Sequence, residues 1–171
     1  RTELEQAFAE RRGEPSADPR AVSTAALVAH IVSRHHEYLR KALPFVQPLA
    51  VKVARVHGDH NPRLRELDAV VGELAAALLP HLDTEEQVLF PMLMMRGRDD
   101  AIVARELGAM HEEHLAVGRL LEQMRDAAEN YALPEWACNS YRTLFAELAQ
   151  LEGDVLTHVH LENPVLMPRF V

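Results

Sequence analysis

The chain has 171 residues, 48% of them apolar, with 7 glycines and a formal net charge of −8. That length and apolar content exclude a disordered chain and allow one domain with a real core. The acidic balance disfavours nucleic acid or an anionic membrane as the main partner. Cys138 is the single cysteine and has no internal disulfide partner, which suits a reducing cytoplasm. No apolar run approaches the ~18 residues that read as a membrane span, and no signal peptide is visible.

Residues 1–20 begin with a short helical piece, "LEQAFAERR", followed by the Gly/Pro/Ser/Asp linker "GEPSADPR". The first residue is Arg rather than Met, so upstream residues are expected. The remainder breaks at "HGDHNP" (57–62), "RGRDD" (96–100) and "ENYALP" (129–134), each rich in turn or cap residues. Four long segments lie between the breaks, roughly 22–56, 62–95, 100–128 and 134–169. All carry helical periodicity and none alternates at period two. Four such helices with short links predict an all-α, up-down-up-down four-helix bundle.

The second segment carries the clearest inward stripe: Leu67, Val71, Leu74, Leu78, His81, Glu85, Val88 and Met92. In the fourth segment Tyr141, Leu144, Leu148, Leu151, Val155, His158, Glu162 and Val165 step by the same threes and fours. Each stripe contains a His four residues before a Glu, within "HLDTEEQVLFP" (81–91) and "HVHLENPVLMP" (158–168). Residues i and i+4 share one helix face, so both pairs point inward. Desolvating a carboxylate is costly, and a metal site is one sufficient compensation. A hydrogen-bonded polar network in the core is the competing reading, and a surface ion pair would not occupy the stripe.

The other two helices then owe at least one inward ligand each. The first offers His35 and His36 in "RHHEYL", and periodicity does not choose between them. The third offers His111, after Leu107, and His114, which follows Met110 and precedes Val117. His160 falls on the face opposite His158, and Glu112, Glu113, Glu122 and Asp126 read as a solvated face. His30, His57 and His60 read as edge or helix-end residues, and Cys138 as packed beside a helix start. One His from each helix plus two Glu gives an N₄O₂ donor set. A closed structural zinc site would want four ligands, usually with Cys, and calcium or magnesium would want oxygen. Imidazole with bridging carboxylate suits a pair of iron or manganese ions.

The segments "RHHEYLRKALP", "ARVHGD", "HLDTEEQVLFPM", "MHEEH" and "HVHLENPVLMPRF" resemble the hemerythrin-like domain of the iron–sulfur cluster repair di-iron proteins. The likeness runs from about residue 22 to the C-terminus. It implies a non-haem di-iron centre, oxo- or hydroxo-bridged, with His36, His81, His111 and His158 as ligands and Glu85 and Glu162 as bridges. It further implies His36 with His81–Glu85 on one iron and His111 with His158–Glu162 on the other. It sets residues 21–171 as the di-iron bundle. Residues 1–20 become a remnant and linker of a small leading domain that bears a Cys-Cys-Gly-Gly motif in the family. Dimerisation and cysteine-dependent steps are left open by that departure.

The function implied is repair of iron–sulfur centres after nitrosative or oxidative stress, by iron donation or by binding nitric oxide. The partners are damaged iron–sulfur proteins together with NO and O₂, in a bacterial cytoplasm. The alternatives are a reversible O₂ or NO binder or sensor, and a di-iron NO or peroxide reductase. Oxygen-carrying hemerythrins use a fifth His one turn beyond the third-helix ligand, where this chain has Leu115 if His111 is that ligand.

Overall fold

A computed structural model describes residues 18–171. The helix expected within 1–20 lies outside the described residues. Among those described there are only helices, turns and coil. The first long helix comprises α1 (Thr24–His30), a π turn (Ile31–His36) and α2 (Glu37–His57). The second comprises α3 (Arg63–Thr84), a π turn (Glu85–Leu89) and α4 (Phe90–Met94). The third is α5 (Asp100–Ala127), and the fourth is α6 (Asn139–Leu161) closed by a π turn (Glu162–Leu166). The first helix lies against the second and the fourth, and the second against the third. This is the expected four-helix bundle.

The ends follow from local chemistry. Ser23 caps α1 by accepting the Ala26 N–H at 3.1 Å. Asp99 caps α5 by accepting from Ala101 and Ile102 at 2.9 and 3.2 Å. Gly97 supplies a φ of +70° in the turn before it. The fourth helix starts at Asn139, five residues later than the sequence pattern suggested. Cys138 holds the extended N-cap conformation, while Trp136 stacks on the ring of His60 with centroids 4.2 Å apart.

The π turns bring a second departure. Glu85 and Glu162 each open one, and the carbonyls of these residues accept the wide i+5 bonds from Phe90 and Met167. Pro91 and Pro168 follow each turn by two residues. A proline has no N–H to donate and its ring collides with the carbonyl four residues back, so a widened turn accommodates it. The shared Val-Leu-x-Pro ending therefore marks a π turn. The extra residue also shifts the buried stripe: Val88 is 46% exposed, and Leu89 and Leu93 are buried where Val88 and Met92 were expected.

The core comes in two apolar parts. One is built on Leu39, Leu43, Leu67, Leu74, Leu148 and Val155, the other on Ile31, Leu89, Phe90, Leu107 and Leu166. Between them, at one level in all four helices, lies a belt of buried polar side chains: His35, His36, His81, Glu85, His114, His158 and Glu162.

Candidate metal centre

Five of the six residues expected to converge do so. His36, Glu85, His158 and Glu162 form one group of mutually close donor atoms, and His81, Glu85, His114 and Glu162 a second. Within each group the donor atoms lie within 4.8 Å of one another. Both carboxylates belong to both groups, and each divides its oxygens between them. Glu85 places Oε2 3.0 Å from His36 Nε2 and Oε1 2.8 Å from His81 Nε2. Glu162 places Oε1 2.5 Å from His158 Nε2 and Oε2 2.8 Å from His114 Nε2.

His111 is the exception: its side chain is exposed, and the third-helix imidazole in the belt is His114. The buried stripe of α5 runs Val103, Leu107, Met110, His114, Val117, Leu121 and Met124. It steps by alternating fours and threes, and His111 falls one residue off it. Reading that stripe to Met124 would have selected His114; the motif likeness selected His111 instead. The grouping also differs from the expected one. Imidazoles pair between helices one and four, with His36 and His158 Nε2 atoms 3.2 Å apart, and between two and three, with His81 and His114 at 3.2 Å. Each inward Glu touches the His of its own helix and one His of the other pair, so both carboxylates span both pairs.

The atoms fit a metal better than they fit each other. Both oxygens of Glu85 and Oε2 of Glu162 are buried without a hydrogen-bond partner, although imidazole nitrogens lie 2.8–3.0 Å away. At these three oxygens the imidazole nitrogens approach without the alignment of a donor and an acceptor. Four imidazoles and two carboxylates suit divalent first-row metals.

The metal-free charges are strongly coupled. Burial alone would lower the pKa of His158, but Glu162 and then Glu85 overcome it and push the imidazole up to about 10. His114 likewise reaches about 10 against the pull of burial, through Glu162 and Glu85. Burial alone would raise the carboxyl of Glu85; the surrounding imidazoles of His114, His158, His36 and His81 hold it well below the usual range instead. Metal entering this site has to displace protons.

An outer ring of acceptors holds some of the imidazoles. The Nδ1 of His114 lies 2.8 Å from Asn163 Oδ1, and that of His81 is in direct contact with the Glu113 carboxylate. Glu113, expected on a solvated face, is half exposed and still reaches the belt. His35 is buried, pairs through Nδ1 with Asp154 at 2.9 Å and stacks on His158; it belongs to neither donor group. His160 is exposed, as its face predicted. A small cavity of about 50 Å³ reaches the belt between helices two and three, lined by His81, Glu85, Met110 and Glu113 among others.

A bundle with inward His and Glu on matched levels defines a class of cation-binding helical proteins, and the comparison agrees. The hemerythrin HHE cation-binding domain matches residues 27–170, and the chain belongs to that family. Among its relatives, the iron-sulfur cluster repair protein YtfE of Yersinia pseudotuberculosis serotype O:1b (strain IP 31758) is 38% identical over 143 residues. The protein of that name from Yersinia pestis (strain Pestoides F) is 37% identical over 143 residues. In both cases the match covers 84% of this chain and 64% of the relative, so the chain spans less than two thirds of their length.

Proposed function

We propose that the chain holds two iron ions between Glu85 and Glu162, and serves to repair iron–sulfur centres damaged by nitric oxide or oxidants. One observation carries this most: each carboxylate turns one oxygen toward His36 and His158 and the other toward His81 and His114. With their oxygens so divided, Glu85 and Glu162 would each offer a donor to both ions. His36 and His158 would hold one ion, and His81 and His114 the other.

Bound iron would supply a centre able to take up NO, and, as cargo, ions for a damaged cluster. The protein's own part is to orient the imidazoles, exclude bulk water and give up protons on loading. Nitrogen and oxygen donors hold ferrous iron less tightly than thiolates, which suits a donor. The relatives' printed name supports the repair reading. Among the described residues no helix is long and apolar enough to cross a membrane.

The test is anaerobic. The iron-loaded chain is added to an iron–sulfur enzyme inactivated by NO, and recovered activity is compared with that from the same amount of free ferrous iron. Recovery above the free-iron control is expected; recovery equal to it would defeat the repair role and leave the metal site standing. An oxygen carrier is the weaker reading. One turn beyond His114 stands Gly118, not a fifth His, and beyond its own stretch of helix nothing lies within 4 Å of where a Cβ there would be.

A further inference from the structure

The two donor groups are alike in composition but differ in what stands behind them. An imidazole that coordinates through Nε2 carries its proton on Nδ1. An acceptor at that proton fixes the ring and makes it a stronger ligand. In the group of helices two and three both rings have one, Glu113 for His81 and Asn163 for His114. In the group of helices one and four neither has. The Nδ1 atoms of His36 and His158 are buried without a hydrogen-bond partner.

For His114 and His36 the difference lies in the residue after each shared carboxylate. Asn163 follows Glu162 and bonds the third-helix imidazole at 2.8 Å. Glu86 follows Glu85 and occupies the matching place toward His36, but stays 3.7 Å from its Nδ1. Arg40 grips the Glu86 carboxylate directly and holds Asp83 at 2.8 Å as well. The arginine takes the acceptor that the His36 ring would otherwise use.

We infer that the two subsites bind metal unequally: His81 and His114, backed by Glu113 and Asn163, hold the first ion tightly, and His36 and His158 hold the second weakly, as the ion released first. This rests on the two-metal reading above and adds which ion is exchangeable. The small cavity touches His81 on the tight side, so the order of release follows equilibrium affinity, not the ease of entry.

Ferrous iron alone, titrated anaerobically into the metal-free chain, provides the test, with native mass spectrometry counting ions per chain and a chromophoric chelator giving both constants. A one-iron species should accumulate near one equivalent, and the two constants should differ tenfold or more. His158→Ala should keep one tight equivalent, whereas His114→Ala should keep only a weak one. Asn163→Leu or Glu113→Leu should weaken the first constant about 10- to 100-fold, and Asn163→Asp, which still offers an acceptor, should restore it with unchanged melting. Passage from zero to two ions without a one-iron species would overturn the inference while leaving the two-metal site intact. The reverse pattern in the two His variants would do the same. Failure to bind any iron would overturn the proposed function itself.

Discussion

Among the described residues the chain buries three glutamates, and it treats them in two ways. Glu152 sits near the far end of the bundle with its oxygens fully engaged. Arg125 donates to Oε1 from Nε and Nη2 at 2.8 and 2.7 Å, and the Tyr131 hydroxyl donates to Oε2. Glu85 and Glu162 lie mid-bundle with three of their four oxygens lacking a hydrogen-bond partner. A carboxylate placed for stability collects donors that are always charged or always protonated. A carboxylate placed for a cation keeps its lone pairs free and surrounds itself with imidazoles, which can shed their protons. Burial of an acid alone therefore says little about its role, and the identity of the neighbours decides it.

The sharpest way to break this contrast is to remove the acids one at a time. Glu85→Ala or Glu162→Ala should abolish binding of the metal pair, read as iron per chain after anaerobic loading, with the helical circular dichroism retained. Glu152→Ala should do the opposite, leaving the metal content intact and costing about 1–3 kcal/mol of stability. Arg125 is half exposed and rehydrates when its partner is lost, which keeps that cost moderate. Metal loss in the Glu152 variant would erase the distinction.

Next in size is the third helix. His114→Ala should lose at least half of the bound iron, and His111→Ala should keep all of it, because only His114 lies in the belt. Equal loss in both would return His111 to the ligand set.

Protons sharpen the comparison further. In the metal-free chain His114 and His158 have pKa values of about 10 against an ordinary 6.5. Their raised pKa stabilises the metal-free fold fully below pH 6.5, and that contribution is lost as pH rises through about 10. Glu85 has the opposite sign: its lowered pKa stabilises the fold above its ordinary 4.5 and is lost as pH falls through its folded value. Metal affinity should meanwhile rise with pH, by about tenfold per unit for each proton displaced. Chelator competition at several pH values, with thermal melts of the metal-free chain, measures both trends. A metal affinity flat between about pH 6.5 and 8.5 would contradict the protonated cluster.

The smallest expected effect belongs to Tyr131→Phe. It removes one bond to Glu152 and loosens a turn in which Glu129, Asn130 and Tyr131 all have positive φ, at 52°, 57° and 62°. Such left-handed residues are intrinsically unfavourable and need a tether. About 1 kcal/mol should be lost in urea denaturation, with iron binding unchanged.

Much of this molecule could be read from residue order alone. The period of the apolar residues dictated four helices, and the i, i+4 spacing of His81 with Glu85 and His158 with Glu162 put both pairs on inward faces, because helix geometry is local. His160 was assigned outward by the same rule. What needed the assembled bundle was every feature that depends on a neighbouring helix. His35 and His36 are both buried, side by side at the end of a π turn. The choice of His114 over His111, by contrast, was already carried by the stripe of Met110, Val117 and Met124. The imidazoles pair between helices one and four and between two and three, and the acceptors behind them arrive from other helices. Periodicity fixes the face a side chain occupies, whereas only packing fixes which atom of another helix it meets.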